Sequence, residues 1–98
     1  MEIKIAHGDE LVISLVGRLD TVTSNELLEA YSKEEVKEGV VIVDMKELEY
    51  ISSAGLRALL AVKKDLASKE KAFEVHNLNS ICKEVFKVTG FNNILTVK

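Results

Sequence analysis

Val40-Val41-Ile42-Val43-Asp44-Met45-Lys46-Glu47-Leu48-Glu49-Tyr50-Ile51-Ser52-Ser53-Ala54-Gly55-Leu56-Arg57-Ala58-Leu59-Leu60 decides the fold. Val40 to Val43 has no polar face, the pattern of a central strand covered on both sides, so all four are expected to be buried. From Ser53 onward the spacing is helical. Leu56, Leu59, Leu60, Val62 and Leu66 are apolar, while Arg57, Lys64 and Asp65 can face water. The residues between, from Asp44 to Ser52, read as a short loop. Two serines therefore stand at a helix mouth, where the first N–H groups lack partners and carry partial positive charge. That place suits a capping hydroxyl, and it also suits a phosphate. On spacing alone Ser53 is the expected N-cap, and its replacement by Ala would cost ~1 kcal/mol. Gly55 falls in the first turn, where glycine costs up to ~1 kcal/mol relative to alanine, so close approach of another molecule is expected there.

Outward from this centre, Ile3-Lys4-Ile5 and Leu11 to Val16 read as two strands joined through His7-Gly8-Asp9-Glu10, a hairpin, with Gly17-Arg18-Leu19-Asp20 closing the second. A capping box at Thr23-x-x-Glu26 announces a helix that buries Leu27, Leu28 and Tyr31 and stops near Gly39. After the charged turn Lys69-Glu70-Lys71, Ala72 to Val75 reads as a strand. Asn79 or Ser80 caps a helix with inner face Ile81, Val85 and Val88 and Gly90 as its stop, and Leu95 to Val97 suits a short edge strand. The fold class is α/β: an N-terminal hairpin followed by right-handed parallel crossovers, giving a four- to five-stranded mixed sheet packed with three to four helices.

The chain has 98 residues, 47% of them hydrophobic, and reads as one domain over residues 1–98. Thirteen Lys and Arg are interspersed among 16 acids for a net charge of −3, with no basic stripe for nucleic acid. The single cysteine, Cys82, allows no internal disulfide and fits a reducing cytoplasm. Met1-Glu2-Ile3-Lys4 lacks the apolar region of a secretory signal, and no apolar run approaches the ~20 residues of a membrane span. A cytoplasmic protein without nucleic acid or membrane partners is expected. Strands at the ends of the sheet leave it a monomer or weak dimer.

No pattern of residues supports catalysis. A nucleophile elbow needs Gly-x-Ser-x-Gly, but Ile51 stands two before Ser53. His7 and His76 read as surface or strand-end residues, and with Cys82 they have no metal-ligand spacing. Cys82 itself reads as a partly buried, inert thiol. Neither a phosphate-cradling loop nor a dinucleotide fingerprint is present. Asp20 precedes a helix N-terminus, where a carboxylate is worth ~0.3–1 kcal/mol. Glu47 and Glu49 read as solvated charges. The expectation is no enzyme, no catalytic residue, no metal and no cofactor.

Taken together, Val43-Asp44-Met45, Leu48-Glu49-Tyr50-Ile51 and Ser53-Ala54-Gly55-Leu56 resemble the central motif of the STAS domains (sulphate transporter and anti-sigma factor antagonist). Gly17-Arg18-Leu19-Asp20 resembles that family's Gly-x-Leu-Asp, and Val85 to Phe91 its apolar helix followed by Thr-Gly-Phe. The match covers the whole chain and is closest to the free-standing bacterial anti-sigma factor antagonists. The resemblance implies partner switching. The unmodified antagonist binds an anti-sigma factor that is also a serine kinase, phosphorylation at the position of Ser53 ends the binding, and a serine phosphatase restores it. The family commonly has Asp before the phosphorylated serine. Here that position is Ser52, which becomes a second acceptor candidate. The implied partner-facing residues are Asp20, Thr21, Ser52, Ser53, Ala54, Gly55 and Arg57. The competing readings are an unphosphorylated STAS scaffold or small-ligand sensor, and weak nucleotide turnover at the Ser53 helix mouth.

Overall fold

The computed structural model describes residues 1–98. β1 (Glu2–His7) and β2 (Leu11–Leu19) form the hairpin, followed by α1 (Thr21–Ser32), β3 (Val40–Ile51), α2 (Ser53–Ser68), β4 (Ala72–His76), α3 (Ser80–Thr89), a 3-10 turn over Phe91–Asn93 and β5 (Thr96–Val97). The sheet runs in sequence order, β1 to β5. Only β1 is antiparallel to its neighbour. Three right-handed crossovers stepping in the same direction place all three helices on one face. That face carries Leu11, Ile13, Leu15, Val41, Val43, Phe73 and Val75, which join helix residues in a single buried core.

The other face of the sheet, with Val12, Ser14, Ile42, Asp44 and Glu74, has no helix over it. The expectation of a central strand covered on both sides is thereby corrected. Ile42 is nonetheless buried, flanked by Val12 and Glu74 in the sheet, whereas Val40, at the strand's first position, is only half-buried.

The stretch expected as a loop after Asp44 is strand as far as Ile51. Two irregularities disguise it. Ser14 pairs with Asp44 and Val16 with Glu47, and then Gly17 pairs with Leu48 and Arg18 with Tyr50. Each step places one extra residue on β3, a bulge that turns the strand. Met45, Leu48 and Ile51, three apart rather than two, therefore all reach the core.

Two boundaries and one helix face also differ from expectation. Asp20, not Thr23, caps α1. Its extended backbone lets the carboxylate accept the N–H groups of Val22 and Thr23, while Thr23 closes the capping box from the third helical position. The helix ends at Ser32 with Lys33 as its C-cap, so Gly39 lies in the connection before β3. In α3 the inner face is Cys82 and Phe86, continuing from buried Leu78, and Cys82 is fully rather than partly buried. Ile81 and Val88 are 57% and 75% exposed. The rotation is set by Asn79, which caps the helix through Cys82 N–H (2.8 Å) and donates to the Leu48 carbonyl (3.0 Å). Gly90 ends α3 in the left-handed conformation at φ 78°, as expected.

Candidate functional site

β2 and β3 end side by side, with Leu19 opposite Ile51, and each hands directly into a helix. Ser52 N–H donates to the Leu19 carbonyl at 2.9 Å, which ties the two helix mouths together. At the first, Asp20 Oδ1 accepts from Thr23 N–H (3.0 Å) and Val22 N–H (3.1 Å), while its own N–H donates to Thr23 Oγ1 (2.8 Å). Thr23 Oγ1 also approaches the Arg18 carbonyl, at 2.7 Å. Ser24, buried behind this turn, donates its hydroxyl to the Asp20 carbonyl. The Thr23 N–H, with help from the Thr23 hydroxyl, Val22 N–H and the Arg18 charge, holds the Asp20 carboxyl below its ordinary range.

At the second mouth the cap is Ser52, not Ser53. Ser52 Oγ accepts from Gly55 N–H at 3.3 Å, and its carbonyl takes Leu56 N–H at 3.0 Å. Ser53 is the first helical residue. Its side chain is exposed and its hydroxyl makes no hydrogen bond within the protein. The expectation of Ser53 as the cap is corrected because the strand runs on to Ile51, leaving Ser52 as the one extended residue before the helix.

Gly55 is buried and does not face outward. A Cβ there would lie 2.8 Å from both Ile51 Cγ1 and the Leu19 carbonyl oxygen, and 2.9 Å from Leu19 Cγ. The close approach that requires glycine is thus made by the chain's own strand ends.

Between the first turns of α1 and α2 lies a shallow groove of about 310 Å³. Thr21, Ser24, Asn25 and Leu28 line one side, and Ala54, Arg57 and Ala58 the other. Of the residues singled out in the sequence, Thr21, Ala54 and Arg57 meet in this groove. Ser53 precedes Ala54 at its mouth, and Asp20 adjoins through the Leu19–Ser52 link. Ser52 and Gly55 serve the helix mouth instead. Sequence reasoning missed Asn25 and Leu28, although they follow Thr21 by four and seven residues, on the same helix face, the available signal. It also missed Arg18, whose guanidinium stacks 4.7 Å from the centroid of the Tyr50 ring beside this mouth. Val22, 71% exposed, adds an apolar side chain to the same turn.

The imidazoles lie elsewhere. His7 sits opposite Leu11, at the far end of β2, between Glu34 and Glu38, and His76 pairs with Glu74. Burial pushes the Cys82 thiol pKa up, away from the reactive thiolate. No helix is long and apolar enough to cross a membrane.

Residues 5–96 match the family model described as Mlab, STAS domain. The chain belongs to the STAS family. This STAS domain is 29% identical over 99 residues to the anti-sigma-B factor antagonist of Listeria monocytogenes, covering 100% of this chain and 87% of that protein. It is 32% identical over 99 residues to BtrV of Bordetella bronchiseptica, provisionally named an anti-sigma factor antagonist, covering 99% of this chain and 85% of that one. Among solved structures it is similar to the anti-sigma factor antagonist SpoIIAA of Bacillus. The unphosphorylated form superposes with a TM-score of 0.83 at 17% identity, over 99% of this chain and 88% of that chain. The phosphorylated form does so with a TM-score of 0.74 at 17% identity, over 99% and 91%. The five-stranded mixed sheet and its three helices are the STAS fold.

Proposed function

We propose that this STAS domain is an anti-sigma factor antagonist switched by phosphorylation of Ser53. It binds an anti-sigma factor serine kinase through the face around the α1/α2 groove and so releases a sigma factor for transcription. The kinase ends the binding by modifying Ser53, and a serine phosphatase restores it. The chain is then a regulatory binding module, with no catalytic group of its own and no cofactor.

The observation that carries this reading is the division of labour between the serines. Ser52 performs the capping, so the exposed Ser53 hydroxyl is spare, beside a groove suited to contact. Ser52, in turn, stands where the family commonly has Asp, and both residue types cap helices about equally well. The substitution therefore keeps the helix mouth intact. It also favours Ser53 over Ser52 as acceptor, because a phosphate on Ser52 would take the oxygen that holds Gly55 N–H. The names of the relatives in Listeria and Bordetella, matched over nearly the full chain, support the antagonist role. The two described states of SpoIIAA support a phosphorylation switch on this fold.

The test is intact-mass measurement of the protein recovered from its native cell across growth and stress conditions, with peptide mapping. One phosphate on Ser53 in some conditions is the expected result. A protein unmodified in all of them points instead to a STAS scaffold or ligand sensor.

A further inference from the structure

β1 is the long free edge of the sheet. It pairs only with β2, whereas the opposite edge, β5, is two residues long. A free edge presents unpaired N–H and C=O groups, a template for another strand. On the helix side of this edge stand Met1, Ile3 and Ile5, half-buried against the core. On the open side stand Glu2 and Lys4, 62% and 58% exposed, whose own charges are 3.9 Å apart. A lone lysine on an edge repels a second copy of itself. A glutamate two residues away on the same side reverses that in one register.

We propose that two copies of this chain pair antiparallel through β1, with Ile3 opposite Ile3 of the second copy. Side chains on one side of a strand meet only at even offsets, so few symmetric registers exist. Centring on Ile3 sets Glu2 opposite Lys4 twice and Met1 opposite Ile5 twice. Centring on Lys4 sets Lys4 against Lys4, and centring on Glu2 sets Glu2 against Glu2. Centring on Ile5 sets Lys4 opposite Ala6 and forms no charge pair. Like charges directly opposite destabilise a strand pair and opposite charges stabilise one, so the charge pattern favours the Ile3-centred register. The apolar row agrees with it, because Met1, Ile3 and Ile5 cover one another across the two-fold axis. The result is a continuous ten-stranded sheet. None of the residues around the α1/α2 groove belongs to β1, so each copy keeps its own docking face. Five residue pairs bury less than the ~1,200 Å² of a standard interface, which makes this a weak dimer.

The test is sedimentation equilibrium of the full chain from about 10 μM to about 1 mM, concentrations at which micromolar to millimolar association is read directly. Three variants accompany it: Lys4→Glu, Glu2→Lys, and the double swap. Each single change replaces two opposite-charge pairs by two like-charge pairs and should weaken association about tenfold. The double swap restores both pairs with reversed sign and should return to within about threefold of the wild type. Both side chains are exposed, and thermal melts of each variant confirm that the fold is kept. A wild type that stays monomeric at the highest concentration overturns the dimer. Association untouched by Lys4→Glu, or not recovered in the double swap, overturns the register. Neither outcome bears on Ser53, so the antagonist reading stands or falls separately.

Discussion

The hydrogen bond from Ser52 N–H to the Leu19 carbonyl, 2.9 Å long, joins the extended cap residue of α2 to the last residue before the α1 cap. Two helix N-termini that are distant in sequence become one surface through it. The same carbonyl oxygen would be 2.8 Å from a Cβ on Gly55, so the link and the glycine belong to one packing arrangement.

Gly55→Ala should therefore destabilise the fold. In an open helix the change would be worth up to ~1 kcal/mol of gain. Here the added methyl meets a carbonyl oxygen and two buried side chains, none free to retreat, and overpacking of this kind costs ~1–3 kcal/mol. Urea unfolding of the variant should give a lower midpoint with an unchanged slope. A neutral or stabilising result would show that the strand ends give way, and would return the glycine to the partner interface.

The serines should separate cleanly by stability. Ser52→Ala removes the acceptor for Gly55 N–H and should cost ~1 kcal/mol, while Ser52→Asp keeps a cap and should cost little. Ser53→Ala removes a hydroxyl without an internal partner and should stay within ~0.5 kcal/mol of the wild type, as exposed substitutions do. Thermal melts of the three variants decide between Ser52 and Ser53 as the cap. A larger loss at Ser53 than at Ser52 would reverse the assignment.

Much of the fold was legible in the sequence because local signals agreed. The hairpin, the helical spacing after Ser53, the Asn79 cap and the Gly90 stop each rest on residues close together in the chain. What was hidden depends on contacts between distant segments. The bulges in β3 replace the two-residue alternation with Met45, Leu48 and Ile51, so strand looked like loop. That error moved the cap from Ser52 to Ser53. Thr23-x-x-Glu26 fits a capping box as well as Asp20-x-x-Thr23 does, and only the conformation at the end of β2 chooses between them. Gly55 did signal a close approach, but the sequence did not say that the approaching groups were Leu19 and Ile51. In α3 the stripe of Ile81, Val85 and Val88 is as apolar as that of Cys82 and Phe86. Its rotation is decided by Asn79 reaching across to Leu48.

Stability should carry a histidine signature. His7 Nε2 lies 2.8 Å from Glu34 and Nδ1 lies 2.7 Å from Glu38, and only an imidazolium donates from both nitrogens. These bonds, Glu34 first and then Glu38, raise the His7 pKa above its ordinary 6.5. Glu38 is shifted down, by its own backbone N–H first and by His7 as well, so it stays ionised well into acid. Because the folded pKa of His7 is raised, the stability it adds is complete below about pH 6.5 and fades as the pH rises through the folded value. Urea midpoints of the wild type and His7→Asn should therefore differ most below about pH 6.5 and converge as the pH rises through the folded value. A gap that is constant or widens with pH would rule out an imidazolium clamp between β1 and the connection after α1.

Phosphorylation of Ser53 should act on the partner and leave the domain intact. A phosphoserine carries about −1.5 to −2 charges near neutral pH. As the first residue of α2 it meets the positive end of the helix and N–H groups with no intrahelical acceptor, a setting that favours an anion. Its own hydroxyl held nothing in place, so no internal bond is lost. A partner surface fitted to a neutral serine, however, now faces a dianion, next to an Asp20 carboxylate that the helix mouth keeps ionised. One like-charge pair at ~4 Å costs up to ~4 kcal/mol at an effective dielectric near 20. Half of that already weakens binding more than tenfold, since ~1.4 kcal/mol is one decade. The expected outcome is a nearly unchanged melting temperature with affinity for the anti-sigma factor kinase lowered by at least tenfold. Ser53→Ala should bind as the unmodified protein does and ignore the kinase. Ser53→Asp, with one charge on a planar head, should weaken binding only in part. Calorimetric titration of both protein forms against the kinase, paired with thermal melts, reads these effects separately. Equal affinities would place the docking surface away from Ser53, and loss of the fold on phosphorylation would mean that the hydroxyl had a structural task after all.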